Sequence, residues 1–396
     1  MFILDLMLLA IAVVLLIPAG VLCMECVAAG IAPAKSSTVE SKRPSIGVLV
    51  PAHNEIEVIA ATLKTIVPQL LPTDRLIVIA DNCTDNTAEI ARDCGAIAIE
   101  RNDTSKRGKG YALDYGLKFL AVAPPEVVII IDADCVVQEK AIEKIAVQAL
   151  KTGRPVQATY VMERPENSSA KNLISALAFT VKNLVRPAGL KEMGLPCLLT
   201  GTGMAFPWDV IVKAPLASGN IVEDMQLAVD LALAGYPATF CPEAKVTGVL
   251  PNQSAAATTQ RTRWEHGHLQ TLLTQVPRLL RGSFSQKRLD LGALALDLSV
   301  PPLSLLVMVW LAFMGLAIVI KMAGGSWVPT LLFATDGLLI LLAILTAWAK
   351  FGREEFPLTT LLAVPVYILW KIPVYLAFLV RRQTQWIRTN RDAGST

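Results

Sequence analysis

Ile129-Ile130-Ile131-Asp132-Ala133-Asp134 carries an uninterrupted apolar run into two carboxylates one residue apart. A short apolar run of this kind reads as a buried strand. Alternate strand residues point to opposite faces, so Asp132 and Asp134 share a side for as long as the chain stays extended. Two anions that close repel unless a cation sits between them. A hard divalent cation bound to phosphate meets that need, because such ions take one or two protein carboxylates and fill their other positions with water and phosphate oxygens. The competing reading is a strand end that runs into an Asp-rich turn. The flanking sequence has to choose between them.

Upstream, short apolar runs alternate with amphipathic stretches. Strands are expected at Ile46–Val50, Leu76–Ala80, Ala96–Ile99 and Val127–Ile131, and helices at Ile56–Val67, Asn86–Cys94 and Tyr111–Val122. This alternation specifies an α/β domain with a mostly parallel sheet, and such sheets bind ligands beyond the carboxyl ends of their strands. Acidic and amide side chains stand after three of these strands: Ala52-His53-Asn54-Glu55 after the first, Asp81 with Asp85 and Asn86 after the second, and the Asp132/Asp134 pair after the fourth. Asp85 or Asn86 also suits a helix cap. Neither GxGxxG nor GxxxxGK[ST] occurs, which excludes the glycine-rich pyrophosphate loops of dinucleotide and P-loop folds. Lys106-Arg107-Gly108-Lys109-Gly110 sets cations and glycines just before a helix, a pattern suited to phosphate, with Lys109 as the donor contact.

The chain has 396 residues, 53% of them hydrophobic, and a net charge of +3, too small to argue for nucleic acid. Residues 1–34 hold only Asp5 and Glu25 as charges and read as an N-terminal transmembrane helix. A cleaved signal peptide is the rival, but no basic segment precedes the run. Lys35, Lys42 and Arg43 come next, which by the positive-inside rule puts the block 35–290 in the cytoplasm. In the C-terminal block, 291–396, Leu298–Ile320 and Ser326–Ala349 read as a spanning hairpin. Pro357–Val380, with three prolines and Lys371 and with Arg381 and Arg382 after it, reads as an interfacial or third spanning segment before a cytoplasmic tail. The seven cysteines show no disulfide framework, and Cys23 and Cys26 sit inside the first apolar run.

Five stretches in register, Val50–Glu55, Asp81 with Asp85, Asp132-Ala133-Asp134, Glu223-Asp224 and Gln260-Arg261-Thr262-Arg263-Trp264, resemble the membrane-bound family 2 glycosyltransferases. That group includes cellulose, hyaluronan and poly-N-acetylglucosamine synthases, and ceramide glucosyltransferase as a non-processive case. The resemblance covers residues 45 to 290, and Trp386-Ile387-Arg388-Thr389 resembles the cytoplasmic end of such synthases. It implies a GT-A-type nucleotide-diphospho-sugar transferase domain flanked by transmembrane helices. It further implies that Ala52, Glu55 and Asp81 hold a uridine-type nucleoside, that Asp132 and Asp134 hold the diphosphate through Mg2+ or Mn2+, and that Asp224 is the general base. Val222 departs from the threonine that many members carry before the acidic pair.

On the acceptor side, Glu223 and Asp224 head an amphipathic helix expected over Met225–Ala234, where carboxylates also suit the helix dipole. Gly203, in Gly201-Thr202-Gly203-Met204, is expected to let the backbone approach a sugar. Gln260, Arg263 and Trp264 fall at i, i+3 and i+4 and share a helix face, offering an amide, a guanidinium for diphosphate and an indole for an acceptor ring. An interfacial Trp/Arg anchor is the alternative. His266 and His268, two apart, face away from each other on a helix and are not expected to share a metal.

The expected activity is inverting transfer from a UDP-sugar to a growing β-linked polysaccharide at the inner membrane, with an export or secretion partner for the product. Transfer of one sugar to a membrane lipid is the alternative within the class. A nucleotide-binding sensor would dispense with Asp224 and Trp264, and a glycosidase would use two carboxylates without a metal pair.

Overall fold

The first apolar run forms a single helix, α1 (Phe2–Ile31), in a computed structural model that describes residues 1–31, 42–163, 169–217, 222–249 and 254–380. Within these, the side chains of residues 249, 254–261, 361, 362 and 379 are not described. Lys35, the Gln260 side chain, Arg381, Arg382 and the Trp386–Thr389 tail therefore lie outside the described residues.

The alternation expected from the sequence is present: β1 (Ile46–Ala52), α2 (Ile59–Ile66), β2 (Arg75–Asp81), α3 (Thr87–Asp93), β3 (Ile97–Arg101), α4 (Lys109–Leu120) and β4 (Val127–Ile130). β1 pairs in parallel with both β2 and β4, and β2 with β3. The near-continuous Ile/Val runs of β1, β2 and β4 are those of strands buried on both faces. Their carboxyl ends lie at one edge, which brings the acidic strand ends together.

β4 stops at Ile130, so Asp132 and Asp134 sit on a turn rather than on an extended strand, and β5 (Cys135–Val137) begins directly after them. The shared face expected from strand alternation is replaced by the turn, which still places the two carboxylates together. The chain continues through α5 (Ala141–Thr152), β6 (Val156–Glu163), α6 (Ala170–Thr180), α7 (Arg186–Glu192), β7 (Met204–Pro207), α8 (Trp208–Ile211), α9 (Glu223–Leu233) and β8 (Thr239–Val249). Beyond β8 come α10 (Ser254–Gln286), α11 (Leu289–Ser299), α12 (Leu303–Met322), α13 (Val328–Ala347) and α14 (Val364–Val380). The eight-stranded sheet has the order β3-β2-β1-β4-β7-β6-β8-β5. β7 runs antiparallel to β4 and β6, β5 runs antiparallel to β8, and β6 and β8 are parallel, so the sheet is mixed but mostly parallel.

The chain divides into two units. One holds the sheet, within Ala34–Pro165 and Pro196–Gly267, around a core that includes Val48, Val50, Ile59, Leu63, Ile129, Ile142 and Val246. The other comprises Met1–Pro33, Glu166–Leu195 and His268–Arg382. This differs from three consecutive blocks at 1–34, 35–290 and 291–396, because α6, α7 and most of α10 group with the apolar helices. The Phe2–Ile31, Leu303–Met322 and Val328–Gly352 helices are long and apolar enough to cross a membrane, whereas Val364–Phe378 is shorter. The run expected to span from Leu298 breaks at Pro301-Pro302, which cannot continue the helix, so the hairpin is α12 with α13.

Within this second unit, α1 packs along α13 through Ala12, Ala19, Phe333 and Ala343. α7 meets α1 so closely that a Cβ on Gly189 would lie 1.9 Å from the Glu25 carbonyl oxygen. The adjacent charges are buried, two carboxylates sharing one guanidinium. Arg186 Nε donates to Glu25 Oε2 (2.6 Å) and its Nη2 to Asp297 Oδ1 and to the Asp297 carbonyl (2.6 Å each). One guanidinium thus ties α1, α7 and α11, and removing it leaves two buried carboxylates without their cation. Arg186→Met is expected to destabilise the chain by about 3–5 kcal/mol, read as loss of thermal stability in detergent. An unchanged unfolding temperature would contradict that role.

Candidate active site

β1 and β2 deliver their end loops side by side, and hydrogen bonds join them. His53 Nδ1 donates to the Asp81 carbonyl (2.7 Å), Thr84 N to Asn54 Oδ1 (2.7 Å) and Glu55 N to Thr87 Oγ1 (2.8 Å). Asn54 and Asn82 both take left-handed backbone, φ 54° and 53°, a conformation asparagine tolerates. Ala52 ends β1 and is buried. Asp85 accepts from Thr87 N (3.1 Å) and Thr87 Oγ1 (2.5 Å), so its carboxylate braces the start of α3. Asp81 is buried at the end of β2 opposite Arg101, whose Nη1 donates to its Oδ1 (2.5 Å). Arg101 also lies 5.7 Å from the centre of the Tyr111 ring. Sequence reading missed Arg101, although a basic residue closing the third strand among acidic strand ends was the available signal.

The second cluster forms around the turn after β4. Ligand atoms of Asp132, Asp134 and Cys135 all lie within 4.8 Å of one another. The Asp132 amide donates to Thr202 Oγ1 (3.0 Å). Gln157, fully buried on β6, secures that loop by donating to the Thr202 carbonyl (2.9 Å) and accepting from Thr200 N (2.8 Å). Lys109, the first residue of α4, comes after Gly108 at φ 130°. Its ammonium bonds Asp132 Oδ1 and the Gly201 carbonyl (2.6 Å) and lies 3.8 Å from Glu223 Oε1. Lys106 and Arg107, its companions in the basic run, are exposed.

Glu223 and Asp224 open α9. Gly201, at φ 92°, sits among these groups: a Cβ there would lie 3.3 Å from Asp224 Oδ2, 3.7 Å from Lys109 Nζ and 3.9 Å from Asp132 Oδ2. Gly203, the glycine expected to face a sugar, instead turns its missing Cβ toward Ala158 (3.0 Å) and Val246 (2.9 Å), where smallness serves sheet packing. Val222 has a packing account too, since a Cβ on Gly267 of α10 would meet its Cγ1 at 2.6 Å. Arg263 and Trp264 are half-buried on α10.

The charges interact strongly. Burial raises the Asp132 pKa against the opposing pull of Lys109, with Asp134 adding to the rise. Burial likewise pushes Glu223 up to about 7, opposed by Lys109 and reinforced by Asp224. Burial works against the Lys109 charge, but Asp132 and Glu223 outweigh it and hold its pKa above the usual lysine range. Burial lowers Arg263, offset by Glu223, Asp132, Asp134 and Asp224, which places its guanidinium in the field of both acidic pairs.

Two carboxylates on one turn fit a hard cation such as Mg2+ or Mn2+, which would take the remaining ligands from water and phosphate. The Cys135 thiol, held protonated by burial and by Asp134 and Asp132, suits such an ion poorly. The arrangement is an acidic end-of-sheet site with Lys109 bonded to one of its carboxylates.

A family model described as "Glycosyltransferase like family 2" matches residues 44–267. The chain is 27% identical over 246 residues to a probable glycosyltransferase, YdaM, of Bacillus subtilis, covering 58% of this chain and 56% of that one. It is 25% identical over 256 residues to a poly-beta-1,6-N-acetyl-D-glucosamine synthase of Staphylococcus epidermidis (58% and 55%). It is 30% identical over 214 residues to a 4,4'-diaponeurosporenoate glycosyltransferase of Staphylococcus haemolyticus (49% and 53%). The chain thus spans about half the length of these curated relatives. Among solved structures, a Pyrobaculum calidifontis mannosyltransferase in complex with GDP-Man and Mn2+ matches with TM-score 0.56 at 21% identity, over 92% of this chain and 99% of that one, a likeness of fold. The sheet is of GT-A type, and with a family model covering more than half of it, this chain belongs to glycosyltransferase family 2.

Proposed function

We propose that the chain is an inverting transferase that moves a hexose or N-acetylhexosamine from a UDP-sugar to a growing β-linked polysaccharide, at the cytoplasmic face of the cell membrane. The observation that carries this reading is the meeting of two acidic pairs at one lysine, with Lys109 bonded to Asp132 and 3.8 Å from Glu223. Transfer without an enzyme nucleophile needs charge neutralisation on the departing diphosphate and a base on the acceptor hydroxyl, side by side.

In this reading Ala52, Glu55 and Asp81 hold the nucleoside. Asp132 and Asp134 hold Mg2+ or Mn2+, which when bound neutralises charge on the diphosphate. Lys109 and Arg263 add positive charge beside it. Asp224 takes the proton of the acceptor hydroxyl as its oxygen bonds to the anomeric carbon and the bond to diphosphate breaks on the opposite face, which inverts the configuration. Gln260 and Trp264 orient the acceptor sugar, with Glu223 beside the base and the small Gly201–Gly203 loop beneath.

Three helices long and apolar enough to cross a membrane support anchoring as a multi-pass protein, and the basic residues after residue 34 support a cytoplasmic catalytic domain. A polymer made on that face needs an export or secretion partner. Transfer of a single sugar to a membrane lipid is the second reading. The small number of such helices among the described residues favours it, as does a relative named for one small acceptor, 4,4'-diaponeurosporenoate.

Asp224→Asn is expected to cut turnover by about 10²- to 10⁴-fold while leaving UDP binding intact, and full turnover in that variant would remove Asp224 as the base. EDTA should abolish transfer and Mn2+ or Mg2+ should restore it; activity that survives chelation would refute the cation's role. Gly201→Ala, strained at positive φ and crowding Asp224, is expected to lower turnover by roughly 10²-fold without unfolding the chain, as measured by initial rates and thermal stability. With radiolabelled donor and isolated membranes, long insoluble product supports the polymer reading, and short solvent-extractable product supports the lipid acceptor.

A further inference from the structure

Lys109 stands between two acidic groups that the proposed reaction uses for different purposes. Asp132 belongs to the donor side and Glu223 to the acceptor side, yet one ammonium serves both. Gly201 marks the crossing point, because a Cβ there would touch Asp224, Lys109 and Asp132 together. The Gly201 carbonyl accepts from the same ammonium at 2.6 Å. The lysine therefore occupies the carboxylate that also belongs to the Asp132/Asp134 group able to take a cation.

An ammonium bonded to Asp132 and a divalent cation on the same carboxylate repel strongly at such separations. One must yield. The side chain that can yield is the lysine, a compact charge with three donors on a flexible four-carbon stem. Its backbone does not have to move, since Lys109 begins α4 and the helix anchors its Cα. Phosphate oxygens give the released ammonium a new acceptor, whereas Glu223 already lies 3.8 Å from it and offers no replacement for the Asp132 bond.

We infer that Lys109 is a tethered counter-ion that exchanges with the divalent cation at Asp132 when the nucleotide diphosphate arrives. The inference rests on the reading of Asp132 and Asp134 as the cation's ligands. Before loading, the lysine holds the acidic cluster together. On loading, it leaves Asp132 for the phosphate, so cation and diphosphate binding are coupled through one side chain. The cation alone binds weakly because it must displace the lysine without offering a substitute acceptor. The cation with diphosphate binds tightly because it brings one.

The test is Mn2+ binding to the full chain in detergent, tracked by electron paramagnetic resonance of free Mn2+, with and without UDP. In the unaltered protein UDP should strengthen Mn2+ binding. Lys109→Met should tighten Mn2+ binding without UDP by roughly tenfold and shrink the gain from UDP, while Lys109→Arg should keep the weak UDP-free binding. A residue that merely shapes the site would weaken binding when removed. Mn2+ affinity in Lys109→Met that equals or falls below that of the unaltered protein overturns the exchange. Asp132→Ala separates the two failures: Mn2+ binding that survives it contradicts the cation site itself, and binding that needs Asp132 but ignores Lys109 contradicts the exchange alone.

Discussion

Carboxylates crowded at one end of a sheet repel, and the catalytic half of this chain is arranged around containing that repulsion. Asp132 with Asp134 and Glu223 with Asp224 come from turns and helices far apart in sequence, and among the described residues Lys109 and Arg263 bring positive charge to them. Burial pushes Asp132 and Glu223 up against the opposing pull of Lys109. The two carboxylates on the turn after β4 fit the ligand needs of a phosphate-bound divalent ion.

The sheet makes the crowding possible. Parallel pairing of β1 with β2 and β4 aligns three strand ends at one edge, and antiparallel β7 brings the Thr200–Gly203 loop against the turn after β4. Hydrogen bonds between the first two loops, and the buried Gln157 amide beneath the third, hold these segments in place. A site preorganised in this way keeps its charges close at little reorganisation cost during reaction.

The first four strands and the helices between them were readable from apolar runs and turn residues, because each is a local pattern. Much of the rest is not local. β6, β7 and β8 form by pairing with distant partners in mixed directions, and nothing in the period of Val156–Glu163 announces that it will run parallel to β8. α6 and α7 group with the apolar helices because Arg186 meets Glu25 and Asp297, three residues separated by more than 100 positions in the chain. Asp132 and Asp134 were found by composition although the expected strand geometry gave way to a turn. Gly201 and Gly203 look equivalent in sequence, but only the backbone path shows that one opens onto the carboxylates and the other onto Ala158 and Val246.

The proposed chemistry depends on Asp132 and Asp134 holding a cation that carries the donor diphosphate, with Asp224 and Glu223 across Gly201 from it. Crystals grown with Mn2+ and UDP, measured at the manganese absorption edge, test this most directly. The expected result is one anomalous peak within coordination distance of an Asp132 or Asp134 oxygen, with the diphosphate on its far side and the Lys109 ammonium moved onto a phosphate oxygen. A manganese peak elsewhere, or UDP bound with its diphosphate away from this turn, would contradict it.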